Sequence, residues 1–211
     1  MVKKKEYKTD QENFWAGLFG DEYIDRNYDQ QMIINNIAIF SKILSKMEPI
    51  ESVIEFGPNI GLNLVALKTL VPNAKFTGVE INKSAIDKLK KLKYVKVYNQ
   101  SLFDFKLKKT FDLCFVKGVL IHQNPKLLDK AYEILYKYSK RYFLIAEYYN
   151  PSPVEVEYRG YRQKLFKRDF AGEIIKIFGK KIQLIDYRFV YHLDRFPQGD
   201  LTWFLFEKRK K

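Results

Sequence analysis

The stretch ESVIEFGPNIGLN, residues 51–63, constrains this chain more than any other. Val53, Ile54 and Phe56 read as a buried parallel strand, because a strand covered on both faces runs apolar without alternation. Gly57 and Gly61 then open a turn in which backbone can approach a ligand closely. Ile60, Leu64, Leu67 and Val71 fall on one face of the helix that follows. The next strand, KFTGVEI, ends in the acidic residue Glu80. A strand, a glycine turn, a helix and a second strand closing on a carboxylate together describe a site for a ribose-bearing cofactor. The competing reading makes the glycines a plain tight turn and Glu80 a solvated strand end.

Upstream, QENFWAGLFGDEYIDRNYD (11–29) crowds aromatic residues around two glycines. Phe14, Trp15, Phe19 and Tyr23 keep no single helical stripe, so short helical pieces broken near Gly17 and Gly20 are expected. The segment reads either as a lid across a pocket mouth or as an arm covering core. Arg26 suits a bidentate pair with a ligand carboxylate or a surface ion pair. A longer helix is expected from about Gln30 to Met47, with Ile33, Ile37, Phe40, Leu44 and Met47 on one face and Pro49 ending the run.

Beyond the second strand, the pattern predicts helices near 84–93, 125–139 and 169–178, and strands near 94–98, 111–116 and 141–148. Residues 149–168 carry two prolines and mixed charge with no regular apolar period, which predicts a substrate-facing loop. Strands near 181–192 and 201–207, joined by DRFPQGD, predict an antiparallel hairpin. The expected fold is α/β: a Rossmann-like seven-stranded mostly parallel sheet with helices on both faces and an antiparallel C-terminal hairpin. Residues 1–50 supply the aromatic lid segment and a helix, and 51–211 the core.

Composition narrows the function classes. No run is long and apolar enough to span a bilayer, and MVKKKEYKTD lacks the apolar segment of a secretion signal, so no membrane insertion and cytoplasmic residence are expected. The single cysteine, Cys114, lies in an apolar strand and reads as a buried small hydrophobe. The two histidines are distant in sequence and no His/Cys cluster points to a metal. A formal charge of +13 invites a nucleic-acid partner. Yet Lys3, Lys4, Lys5, Lys208, Arg209, Lys210 and Lys211 place seven of those charges at the chain ends, and the lysines between Lys83 and Lys96 fall mostly on a helix flank. An anionic substrate fits the remaining excess.

VIEFGPNIGLN, GVEIN and FDLCFVKGVLIH resemble the first, second-strand and fourth-strand motifs of class I S-adenosylmethionine-dependent methyltransferases. Within that class the chain most resembles methylases associated with pseudaminic acid biosynthesis. QENFWAGLFGDEYIDRN, KGVLIH, AEYYNPSPVEVEYRG and LFKRDFAGE carry that likeness over nearly the full length. The resemblance implies a sheet whose last strand is antiparallel and S-adenosyl-L-methionine as cofactor. Asn59 departs from it, standing where many members have a glycine; it either takes a left-handed backbone or fills space beside the cofactor. That departure weakens a pyrophosphate cradle, and so NAD, more than the site of a methyl donor without phosphates.

The resemblance assigns Glu80 to the ribose hydroxyls, with Ile81 beside it, and Glu55, Gly57, Asn59 and Gly61 to the donor's amino-acid portion. It sets Gln100, Ser101 and Leu102 near adenine, although either polar side chain could cap the following turn instead. Trp15 and Arg26 would fold over the methionine end. Lys117 closes the fourth strand and would serve the donor carboxylate, a polar loop or an anionic acceptor, or be an exposed structural lysine. His122 follows Gly118 by four residues and is the candidate base, against the reading of a packed histidine. Tyr148, Tyr149, Asn150, Tyr158 and Arg159 form the acceptor-recognition group, or else a loop held by tyrosine hydroxyls. The expected reaction is methyl transfer to nitrogen or oxygen of a small sugar-like anion, a nonulosonic acid or its nucleotide-activated derivative. The alternatives are an RNA or protein methyltransferase recruited through the basic ends, and a catalytically silent donor-binding module.

Overall fold

Apolar runs bounded by polar turns become the strands, and amphipathic runs the helices that cover them. In the computed structural model, which describes residues 7–26 and 29–209, the chain begins with α1 (Asp10–Ala16), α2 (Leu18–Arg26) and α3 (Gln30–Leu44). β1 (Ser52–Phe56), α4 (Leu62–Leu70), β2 (Lys75–Glu80), α5 (Lys83–Leu89), β3 (Val95–Asn99) and β4 (Phe111–Lys117) follow. Then come α6 (Leu128–Tyr138), β5 (Ser139–Glu147), β6 (Val154–Tyr158), β7 (Tyr161–Lys167), α7 (Phe170–Phe178), β8 (Ile182–Val190) and β9 (Leu201–Lys208). Lys3, Lys4, Lys5, Lys210 and Lys211, most of the basic ends, lie outside the described residues.

Seven strands make one sheet in the order β3-β2-β1-β4-β5-β9-β8. β9 runs antiparallel to both neighbours and the other pairs are parallel. The expected mostly parallel sheet with an antiparallel C-terminal hairpin is the architecture observed. One face packs against α6 and α7 through residues such as Tyr132, Leu135, Phe143, Ile174 and Phe206. The other packs against α3 and α4 through Phe40, Ile43, Leu64, Leu67, Phe115 and Trp203. The strand order reverses between β1 and β4, and open α/β sheets bind ligands outside the carboxyl ends of the strands at such a point.

Three local expectations change. Gly17 separates α1 from α2, but Gly20 lies inside α2 and breaks nothing. A Cβ on Gly20 would sit 1.9 Å from the Trp15 carbonyl oxygen, so this glycine serves a close approach of the two short helices. The buried side of α3 is Asn35, Asn36, Ile39, Phe40 and Ile43, while Ile37, Leu44 and Met47 flank it. The Oδ1 of buried Asn36 accepts from Gln198 Nε2 at 3.2 Å, a partner the helical period cannot reveal. Finally, 149–168 is not an irregular loop: β6 and β7 pair antiparallel as a separate two-stranded sheet. Both strands are largely solvated, which is why no apolar alternation marks them.

No helix among the described residues is long and apolar enough to cross a membrane. Cys114 is fully buried in β4, where burial pushes its thiol up.

Candidate functional site

The turn after β1 takes three left-handed residues: Gly57 (φ 74°), Asn59 (φ 50°) and Gly61 (φ 92°). Asparagine enters this region more readily than most side chains, so Asn59 preserves the bend. Gly57 is also a matter of space, since a Cβ there would lie 2.6 Å from Val119 Cγ2. Glu80 closes the bend from the end of β2. Its Oε2 accepts the Asn59 N–H at 2.8 Å, and its Oε1 accepts those of Ile81 and Asn82, each at 2.8 Å. Burial pushes this carboxyl up and the three N–H groups oppose that rise. A carboxylate offers about four lone-pair positions, so capacity for a ligand hydroxyl remains.

Above the carboxyl ends of β1, β2 and β4 lies a hollow with about 940 Å³ of empty space, part of it open to solvent. Small-molecule sites run from about 300 to 1,000 Å³. Trp15, Gly57, Asn59, Glu80, Ile81, Lys117 and His122 line it. A smaller hollow continues toward β3, sharing Trp15, Gly57, Glu80 and Ile81 and adding Gln11, Glu12, Gln100, Ser101 and Leu102. Gly61 stands between two wall residues, Ile60 and Leu62, without joining the wall itself.

Glu55 lies beneath this floor, fully buried. Asn63 Nδ2 donates to its Oε1 at 2.7 Å, and Oε2 has no hydrogen-bond partner among the described residues. Burial pushes the Glu55 carboxyl up to about 8, against the pull of Asn63 and Lys117. Lys117, half-buried, is drawn down by burial and held up by Glu55 and Glu147. Glu147 was not singled out from the sequence. Its Oε1 accepts the N–H groups of Val119 and Leu120 at 3.0 Å, and Oε2 that of Ile121 at 3.3 Å. Burial pushes it up to about 7, with those N–H groups and Lys117 opposing. Its one sequence signal is an acid closing a central strand, the same signal that marked Glu80.

The loop Glu147 grips carries His122 into the hollow. The ring is buried, its centroid 4.5 Å from Trp15 and 4.9 Å from Tyr158. Nδ1 lies 2.6 Å from the Lys164 carbonyl oxygen. Burial pushes the imidazole down to about 4, so it is neutral at physiological pH.

The N-terminal segment supplies Trp15, Gly20 and Tyr23 to the larger hollow and Gln11, Glu12 and Trp15 to the smaller one. Asn82 Nδ2 donates to the Trp15 carbonyl at 3.1 Å and to Asp21 Oδ1 at 3.0 Å. Glu12 accepts a short hydrogen bond from the Ser101 hydroxyl, and Gln11 Nε2 donates to the Gln163 carbonyl at 3.0 Å. Ser101 also caps the next turn by accepting the Phe103 N–H at 3.1 Å. Thr9 caps α1, its Oγ1 accepting the Glu12 N–H at 3.1 Å and donating to Glu12 Oε2 at 3.0 Å, so the sequence marks Glu12 only as a first-turn acid. Trp15 Nε1 and Gln100 Oε1 are buried with no hydrogen-bond partner among the described residues.

Other expected site residues stay outside. Arg26 pairs with Glu22 at 3.7 Å, lies over the Phe19 ring and lines neither hollow. Arg159 is exposed at the tip of the β6–β7 hairpin. Tyr149 is 45% exposed and faces Phe204, and Asn150 Nδ2 donates to the Ser152 carbonyl. Tyr148 is half-buried beneath Lys167. Of that group only Tyr158 reaches the rings around His122. His192 is exposed and pairs with Asp200 at 2.9 Å. Among the described residues no three His, Cys, Asp or Glu side chains gather as a metal site.

No family model matches this sequence, and no curated protein does. Solved structures do match. The 1,6-didemethyltoxoflavin N1-methyltransferase of Burkholderia thailandensis, with bound 1,6-didemethyltoxoflavin and S-adenosylhomocysteine, superposes with TM-score 0.69 at 14% identity, covering 99% of this chain and 94% of that one. A sugar N-methyltransferase from a Streptoalloteichus species gives 0.67 at 14% identity, covering 100% and 99%. A plantazolicin methyltransferase in complex with S-adenosylhomocysteine gives 0.66 at 13% identity, covering 95% and 94%. The fold is that of the class I S-adenosylmethionine-dependent methyltransferases.

Proposed function

We propose that this chain is an enzyme that transfers a methyl group from S-adenosyl-L-methionine to nitrogen or oxygen of a small molecule. The observation that carries this reading is the convergence of the Gly57–Gly61 bend and the Glu80 carboxylate on one hollow that continues to Gln100. The residues present fit the donor. Glu80 Oε2 has capacity left for a ribose hydroxyl, and the unpartnered Gln100 Oε1 suits the exocyclic amine of adenine, with Leu102 as apolar cover. Lys117 is the one cation in the wall of the larger hollow among the described residues, on the side of β4 where the donor's carboxylate end would lie. When bound, S-adenosylmethionine supplies an electrophilic methyl group on a sulfonium and leaves as a neutral thioether.

The chain's own part is to align and enclose. Trp15 walls both hollows and narrows their access to water, while the rest of the wall fixes the approach of the acceptor. Methyltransferases of this fold named for a sugar, 1,6-didemethyltoxoflavin and plantazolicin support a small-molecule acceptor. The acceptor we favour is a sugar-like anion, a nonulosonic acid or its nucleotide-activated derivative. The segments resembling pseudaminic acid-associated methylases, the excess positive charge and the placement of Lys117 support it. A labelled-methyl assay offering nonulosonic acids, sugar nucleotides, RNA and peptides tests it. Label should enter the small anionic sugars; label only in RNA or peptide would overturn the acceptor class.

A further inference from the structure

Gln163 holds a left-handed backbone, φ 58°, inside strand β7. Such strain in a side-chain-bearing residue persists only where its surroundings over-determine it, and it gathers at functional sites. Here the pairing of β6 with β7 jumps from Val156↔Leu165 to Tyr158↔Tyr161, so residues 162–164 face Glu157 alone as a bulge. Bulges re-aim groups beside active sites. The Gln163 N–H donates to Glu155 Oε1 at 2.8 Å, and its carbonyl accepts from Gln11 at 3.0 Å. The next carbonyl, that of Lys164, meets His122 Nδ1 at 2.6 Å.

A carbonyl oxygen can only accept, so Nδ1 carries the ring proton and Nε2 keeps its lone pair. The ring's hydrogen bond among the described residues is made by Nδ1, and His122 lines the larger hollow. Around it stand Trp15 from α1, Tyr158 from β6 and the Lys164 carbonyl from β7, while Glu147 of β5 holds the loop beneath. We propose that the Gln163 bulge fixes His122 as the Nδ1–H tautomer, so that Nε2 takes the proton from the acceptor. The acceptor is then an amine or a hydroxyl bearing hydrogen on the atom that is methylated. This inference rests on the methyl-transfer reading above.

The step balances. The acceptor heteroatom's lone pair forms the new bond to carbon, and the electron pair of the broken carbon–sulfur bond stays on sulfur. The heteroatom keeps the electrons of its bond to hydrogen while the proton passes to Nε2. The imidazolium then yields that proton to water through the open side of the hollow. Gln163 and the Lys164 carbonyl are positioning groups; His122 touches the acceptor.

Imidazole nitrogen NMR of the full chain tests the arrangement directly, with His192→Gln to leave one histidine. The spectrum should report a neutral Nδ1–H ring that stays unprotonated down to pH 5. Gln163→Val cannot adopt the left-handed bend comfortably and should mix the tautomers and lower kcat about tenfold, with S-adenosylhomocysteine affinity unchanged. Gln163→Gly should restore the wild-type tautomer and rate. His122→Asn should lower kcat about 10²- to 10⁴-fold, the range for lost acid–base catalysis. An Nε2–H ring in the wild type, or an undiminished kcat in folded Gln163→Val, overturns the proposal. So does a product methylated on sulfur or carbon. If Gln163→Val does not fold, the wild-type tautomer decides alone. Separate titration with S-adenosylhomocysteine keeps the two failures apart: binding with the wrong tautomer sinks only this inference, whereas no binding sinks the methyl-transfer reading.

Discussion

Substituting Glu80→Gln isolates the charge at the centre of the account while keeping the side chain's shape. In the folded protein one amide nitrogen must replace a carboxylate oxygen. Placing it at Oε2 sets it against the single Asn59 N–H, whereas the Oε1 position would set it against two. The first arrangement is preferred and loses one charge-assisted bond, about 1.5–3 kcal/mol. Against this, the substitution relieves the burial that holds the Glu80 carboxyl above its ordinary range. The two terms oppose, so thermal stability should move by only a few degrees at about 2–4 °C per kcal/mol for a chain of this size. The ligand term has no such offset. Losing the charge-assisted bond to a ribose hydroxyl costs about 1.5–3 kcal/mol, which weakens binding roughly ten- to hundredfold. Calorimetric titration with S-adenosylhomocysteine, beside a melting curve on the same sample, reads both. An intact variant whose affinity stays within about threefold of wild type would refute the role given to Glu80.

Other perturbations follow from the same geometry. Trp15→Ala removes the ring that walls both hollows and should weaken S-adenosylhomocysteine about tenfold by titration, with faster release. Lys117→Met removes the cation from the larger wall and should weaken S-adenosylhomocysteine several-fold in the same titration. Glu55 and Glu147 are held at about 8 and about 7, above the ordinary 4.5, so the folded state keeps their protons and their contribution is lost as pH rises through those values. His122, held at about 4 against 6.5, acts oppositely but only below 6.5. The melting temperature should therefore fall between pH 6.5 and 8.5, and fall less in Glu55→Gln; a flat wild-type profile would contradict this.

The β1–turn–α4–β2 unit and its closing acid were legible because each rests on local chemistry: an unbroken apolar run, glycines at a bend, and a carboxylate at a strand end. Asn59 was readable for the same reason, its left-handed backbone being a property of its own residue type. What the sequence hid depends on distant partners. Asn36 counts as polar in any helical pattern, yet it is buried against Gln198. The β6–β7 hairpin has little apolar face to betray it, and its purpose emerges only where Lys164 meets His122. Arg26 carries the right chemistry for an anion but points to Glu22, and Glu147 is an ordinary acid until the loop after β4 folds onto it.

The most direct measurement is electron density from crystals grown with S-adenosylhomocysteine. A ribose hydroxyl should lie within hydrogen-bond distance of the Glu80 carboxylate, adenine beside Gln100 and Leu102, and the sulfur facing the side of the hollow that holds His122. Density for the nucleoside elsewhere on the sheet, or none at millimolar ligand, would contradict this placement.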